Sequence, residues 1–491
     1  MKVNVLCLAA LVSSVGAFAQ TAPATKPSST PTFTAVIRER TNVTQWFAAT
    51  PTSETYAHQD SLLRLSLTQR IRQWDYQLEL GQSAELSLPT DAVSAVSAQG
   101  QLGLGGTYYA ANSNNSNPAA ASFRQGFLRY HFKAEHDSVR IGRFEFLDGI
   151  ETAPKDATLG WLQTNRIAQR LIGNFGFSNG QRSFDGADGK LSGTSWNLTA
   201  MAGRATQGVF NMNANPELDV DIQYLAYTRA LAKGHVLMRG FGLGYHDGRT
   251  GLTKTDNRTA AARALDHKNI RIGTYGGDMI ASVPAGHATL DFLVWGAGQS
   301  GTWGRLDHSA AAVTTEAGIR VDSLRTMPWL RGGYLRTTGD NNNTDGTHNT
   351  FFQVLPTPRT YARFPFYNMM NSTDSFVQLV DKPSKKIEVR TDLHFLKLTA
   401  PGDFWYQGGG AYDRKVFGYV GRPGNKVSSF SSVYDISADI VLTKQLALST
   451  YYAHVFGKSA VGAIYTSDRD ANYGYFELTY RLQQTAGAHS H

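Results

Sequence analysis

The chain has 491 residues, with 47 Lys plus Arg against 39 Asp plus Glu, a formal net charge of +8 and one cysteine. It is 41% hydrophobic, with a mean hydropathy of -0.30. A bundle of membrane helices is excluded, because each span needs about 20 consecutive apolar residues, and the 11% aromatic content argues against a disordered chain.

Lys2, the apolar run 3–12 and the small-x-small triplet Ala17-Phe18-Ala19 read as a signal peptide over residues 1–19, with a mature chain from Gln20. Cys7 falls inside the apolar run, so neither a disulfide framework nor a thiolate metal site is expected after cleavage. Residues 20–32 are Pro/Thr-rich and read as a flexible lead-in.

From Phe33 to Leu482 the apolar residues recur with period two. Leu63, Leu65, Leu67 and Ile71 share one face, and Arg64, Arg70 and Arg72 the other. Ile387, Val389, Leu393 and Phe395 likewise oppose Glu388, Arg390, Asp392 and His394. The pattern predicts strands over 34–47, 57–71, 74–87, 122–132, 138–147, 175–189, 194–203, 219–230 and 236–247. It continues over 267–282, 287–298, 308–321, 327–338, 373–381, 385–398, 431–442, 446–456 and 473–482. Every second connection is tight, and the others are long, notably 89–121, 148–174, 339–372 and 399–430. A soluble sandwich has no reason to sort its loops this way. The expected fold is therefore all-β: a transmembrane antiparallel barrel of about 18 strands over 33–482, followed by a C-terminal tail 483–491. Short periplasmic turns and long extracellular loops would place it in the bacterial outer membrane, in contact with lipid.

An arginine on the lipid side at mid-bilayer costs about 2–4 kcal/mol, so the charged faces should line a wet lumen. The inward cations expected from alternation are Arg38, Arg40, Arg64, Arg70, Arg129, Arg271, Arg320, Arg390 and Arg481. The inward acids are Asp219, Asp221, Asp291, Glu316, Asp322, Glu388, Asp392, Asp435, Asp439 and Glu477. Trp46, Trp74, Tyr76, Tyr130, Phe146, Tyr451 and Tyr452 suit interfacial girdles. The last strand places Phe476, Leu478, Tyr480 and Leu482 outward, a terminal signature resembling that read by outer-membrane insertion machinery.

Enzyme motifs are missing: no Walker loop, dinucleotide fingerprint, HExxH or GxSxG occurs, and no cofactor or metal is expected. The Gly103-Leu104-Gly105-Gly106 stretch reads as part of a long loop. Residues 340–346 are oxygen-rich but lack the terminal Glu of an EF-hand and read as a solvated turn. The basic surplus is dispersed, which argues against nucleic acid as a partner.

Three motif groups carry a family resemblance. They are Gly142-Arg143-Phe144 with Asp148-Gly149, Gln181-Arg182 with Phe184-Asp185-Gly186, and Thr337-Thr338-Gly339-Asp340 leading into Thr344-Asp345-Gly346 and Asn349-Thr350-Phe351. With these the chain resembles the alginate export porins of the bacterial outer membrane. The resemblance implies a monomeric eighteen-stranded barrel whose arginine-rich constriction passes a polyuronate. It also implies that Arg143, Arg182 and Asp185 belong to that constriction, with Arg336 a further candidate. Arg64, Arg129, Arg320 and Arg390 join them from the alternation alone. A bulge is expected at Gly142. The expected function is a non-enzymatic porin passing an anionic polysaccharide or other small anionic solute by facilitated diffusion. The alternative is a general porin for small sugars or nutrients in which the arginines only brace the lumen.

Overall fold

The computed structural model describes residues 29–48, 55–132, 136–357 and 363–485. The expected signal peptide 1–19, most of the lead-in and the end of the tail lie outside these residues.

Among the described residues, eighteen strands form one antiparallel wall. They begin with β1 (Thr32–Gln45), β2 (Thr55–Ile71), β3 (Trp74–Leu86), β4 (Ala119–His131), β5 (Ser138–Phe144) and β6 (Phe184–Ser192). Next come β7 (Trp196–Thr206), β8 (Glu217–Leu231), β9 (Val236–Asp247), β10 (Ile270–Ala285), β11 (Ala288–Trp303) and β12 (Leu306–Val321). The last are β13 (Trp329–Thr337), β14 (Ser372–Ser384), β15 (Ile387–Leu398), β16 (Ser429–Val441), β17 (Leu446–Gly457) and β18 (Ala471–Thr485). β1 pairs with β2 on one side and with β18 on the other, Thr32 opposite Thr485 and Gln45 opposite Asn472. The sheet is closed and has no free edge. No helix among the described residues is long and apolar enough to cross a membrane. The strands do the crossing.

Alternation sets the two faces. On β2, Leu63 and Leu65 stand beside the exposed Ile37 and Leu80 of its neighbours, while Arg64 between them is buried inside. Connections at one end are turns, such as residues 72–73 and 286–287; at the other end they reach 87–118, 145–183, 338–371 and 399–428. The exception is the two-residue turn Gly304-Arg305 at the long-loop end.

The long loops fold inward. Trp46, Phe47, Phe351, Phe352, Phe364, Phe366, Trp405 and Tyr465 form an apolar core within the mouth, with the rings of Phe47 and Tyr465 5.0 Å apart. Burying each such ring contributes about 1.5–3 kcal/mol, so the mouth is a packed structure, continuous with inward residues of the wall such as Trp295 and Tyr473.

Four sequence expectations change here. The strand expected over 175–189 starts only at Phe184, because Phe175 and Gln181 adopt positive φ (56° and 46°) and turn the backbone into the lumen. No bulge occurs at Gly142: β5 pairs with both neighbours in unbroken register. A register shift lies instead in β3 and β4 at Glu79/Leu80, and it puts Arg124 and Gln125 both inside. The Gly103 stretch opens a helix, α1 (Gly103–Ala111), inside the 87–118 loop. Of the aromatics assigned to girdles, Trp74 and Tyr452 are exposed on the outside, whereas Trp46, Phe146 and Tyr451 are buried.

Candidate functional site

The loop 145–183 crosses the lumen and is held by arginines from the wall. Arg38 donates to the Gly176 carbonyl at 2.6 Å, and Arg40 donates to the Phe177 carbonyl at 2.8 Å while its guanidinium lies 3.8 Å from that ring's centre. Arg40 is also bound to Glu477 and Asp60, at 2.5 and 3.2 Å. Arg64 joins Glu79 to Glu145 of the loop, at 2.5 and 2.9 Å. Arg124 donates to the Gly180 carbonyl at 2.5 Å and to Gln181 at 2.8 Å. Across the lumen, Arg166 of the loop and Arg331 of β13 both grip Glu316, each at 2.9 Å.

Arg182 is the centre of this packing. Its guanidinium is fully buried and donates to four carbonyls, those of Gly173, Leu355, Gly409 and Ala411, at 2.9 to 3.1 Å. These belong to the 145–183, 338–371 and 399–428 loops. Arg182 therefore fastens three loops together.

The other sequence candidates divide. Arg64 is inside and paired as described. Arg390 is inside and buried, with Asp392 at 3.3 Å. Arg129 and Arg320 are inside near the short-turn end, beside Asp75 at 3.7 Å and Asp322 at 2.6 Å. Arg143, Asp185 and Arg336 are not in the lumen. On β5 the outward residues are Val139, Ile141 and Arg143, with Ile141 64% exposed, and Phe144 faces inward at 0%. Without a bulge, odd numbers remain outside. Asp185 stands opposite Arg143 and shares its face. Arg336 lies two residues from the exposed Tyr334 on the same outer face. Arg271, Asp219 and Asp221 are outside for the same reason, since the intervening Ile270, Ile272, Leu218 and Val220 are buried inward.

Alternation could have found Arg239 and Arg331, which stand on the inward face of predicted strands. Nothing in the local pattern marked Arg166 or Arg170, which extend inward from a loop around α2 (Ala157–Leu162).

Among the described residues, two solvent-reached regions bear on passage through the barrel. At the short-turn end, the solvent-reached inward residues include the cations Arg70, Arg129, Arg140, Lys190, Arg320, Lys382 and Arg481 and the carboxylates Asp156, Asp322 and Glu388. At the long-loop end, a cavity of about 250 Å³ is walled by Trp46, Phe175, Phe210, Tyr367 and Tyr412, with Gln101, Gln407 and Arg422 as polar members. Arg422 donates to Gln407 at 2.7 Å and to the Ala98 carbonyl at 2.9 Å, and burial lowers its pKa. In the 340–346 turn the carboxylates accept from backbone within the loop, Asp340 from Asn342 and Asp345 from Thr347.

A family model described as alginate export matches residues 32–475. The chain belongs to the alginate export family. No curated protein sequence matches it. Among solved structures, this alginate export family barrel is similar to Acinetobacter baumannii OccAB4, at 7% identity and a TM-score of 0.57, over 95% of this chain and 100% of that one. OccAB2 of the same organism gives 8% identity and a TM-score of 0.58, over 92% and 98%. The Pseudomonas aeruginosa outer-membrane protein opdK gives 8% and 0.55, over 92% and 99%. At such identities the likeness is one of fold: an eighteen-stranded outer-membrane porin. Family and fold together make the protein a channel of the bacterial outer membrane, with its short turns periplasmic and its long loops extracellular.

Proposed function

We propose that this channel passes carboxylate-bearing solutes, foremost acidic saccharides of the uronate class, by facilitated diffusion. The observation that carries this reading is the set of solvent-reached inward cations at the periplasmic end, Arg70, Arg129, Arg140, Lys190, Arg320, Lys382 and Arg481, while Asp75 and Asp188, which pair with Arg129 and Arg140, are buried. A ring of like charge selects ions of the other sign, and many weak sites in series allow release as well as entry. Arginine's planar fork matches a carboxylate through two bonds. The aromatic walls of the extracellular cavity offer flat faces to a sugar ring. Closure of β1 on β18 supports action as a monomer, and the outward Phe476, Leu478, Tyr480 and Leu482 support delivery by the outer-membrane insertion machinery.

A second reading, a channel for small organic acids, is favoured by the folded-in loops. A polymer passes only if the three loops joined at Arg182 separate, whereas the cavity of about 250 Å³ is of single-ring size. One similar barrel, opdK, was solved with vanillate.

Reversal potentials in planar bilayers under a salt gradient test the charge selectivity, with oligouronates, neutral oligosaccharides and an aromatic acid as blockers. Anion preference and block by oligouronates support the first reading. Block by the aromatic acid alone supports the second. Cation preference overturns both.

A further inference from the structure

Asp392 and His394 are two residues apart on β15 and both point inward; Asp435 of β16 stands directly opposite Asp392. One ligand atom from each of the three lies within 4.8 Å of the others, and all three residues are buried. Two carboxylates facing each other across a strand pair repel, and burial sharpens the cost. The surrounding bonds leave specific atoms over. His394 Nδ1 is bonded to Asp374 Oδ2 at 2.7 Å, which fixes the ring, and Nε2 then has no hydrogen-bond partner. Asp392 Oδ1 accepts from Gln378 at 2.6 Å, while Oδ2 has no hydrogen bond and only the Arg390 guanidinium at 3.3 Å. Asp435 Oδ2 accepts from the Tyr451 hydroxyl at 2.9 Å.

We propose that Asp392, His394 and Asp435 bind a divalent transition metal of the zinc type in the channel wall. An imidazole nitrogen with two carboxylate oxygens suits such ions, whereas calcium and magnesium favour all-oxygen shells. An imidazolium at His394 would account for the bond to Asp374 but would leave its second N–H without an acceptor. A metal uses that nitrogen and both acids at once. Asp374 then takes the role of the carboxylate that orients a metal-bound histidine through its other nitrogen. Tyr367 of the inward 338–371 loop donates to the same Asp374 oxygen at 3.1 Å, so the site also ties the mouth to the wall.

The test uses the full chain in detergent, stripped with a chelator. It is titrated with Co²⁺, followed by visible absorption, and with Zn²⁺ by calorimetry. One ion per barrel is expected. His394→Gln and Asp435→Asn are each expected to weaken binding by at least tenfold, and Asp374→Asn by about 10–100-fold. His454→Gln, on the outer face, should leave it unchanged. Heat-dependent gel mobility reports whether each variant folds. Absence of stoichiometric binding by the unaltered protein overturns the proposal, as does binding that survives both ligand substitutions in folded barrels.

Discussion

Arg143 and Asp185 stand opposite each other on β5 and β6, joined by two bonds of 2.7 and 2.6 Å, on the outside of the barrel. The pair begins a row. Following the register strand by strand, Asp185 faces Arg204, Arg204 faces Asp221, Asp221 faces His246 and His246 faces Arg271. Arg204 binds Asp221 at 2.9 Å and Asp219 at 3.3 Å, so the charges neutralise one another along the wall. Charge on the lipid face costs little only near the interface. The row therefore marks the extracellular edge of the apolar band on these six strands.

That placement separates position from charge. Arg143→Leu removes a partly exposed pair and is expected to cost no more than about 1 kcal/mol, with ion selectivity unchanged because the residue is outside the lumen. Ile141→Arg, two residues deeper on the same face, is expected to cost about 2–4 kcal/mol. Reversible unfolding in denaturant, paired with bilayer reversal potentials, measures both. A loss of anion preference in Arg143→Leu would return this residue to the pore.

The glycine before it is fixed by geometry. Gly142 has φ of 129°, and a Cβ there would lie 2.3 Å from the Gly126 carbonyl oxygen. Gly142→Ala is expected to destabilise the barrel by about 1–3 kcal/mol, the range for a residue forced into such backbone, with the loss read from the same unfolding curves.

Arg182→Met is expected to loosen the mouth. Four carbonyls lose their donor, and each costs about 1–3 kcal/mol unless water reaches it. Hydrogen exchange should rise in residues 173–183, 351–356 and 408–412, and single-channel conductance should increase. A role in selecting anions would instead lower anion preference at constant conductance.

The barrel was legible because period-two alternation over eighteen segments reports a local steric fact, the pleat, and because loop lengths sort by end. The faces were legible wherever no extra residue intervened. Arg143 shows the limit: Val139 and Ile141 outside with Phe144 inside already fitted an unbroken strand, yet the family motif drew Arg143 toward the lumen. The packing of Arg182 was not legible, because its partners include carbonyls from two distant loops, which no local pattern encodes. Asp392, His394 and Asp435 were each visible as inward residues, but their convergence depends on the β15–β16 register.

The mouth should respond to acid through His348. Its Nδ1 lies 2.9 Å from Nδ1 of His308, and its ring stacks on Trp303 at 4.1 Å. One of the two nitrogens must accept, so both rings cannot be protonated without breaking the contact. Burial, then His308 and then Arg258 hold the His348 pKa well below the usual 6.5. The folded loop thus binds this proton less well than the unfolded chain. Its contribution is complete above about pH 6.5 and declines as pH falls below that value. Asp403, which accepts from Thr350 at 2.6 Å, acts in the opposite sense, because burial lifts its carboxyl to about 6 and protonation there favours the folded loop. The variant His348→Phe keeps the stack on Trp303 and removes the titrating group, isolating the histidine's share. Between pH 7 and 5, hydrogen-exchange protection in residues 338–356, taken relative to the intrinsic rate at each pH, should fall more in the unaltered protein than in His348→Phe. An equal fall in the two would show that His348 does not set the acid response of the mouth.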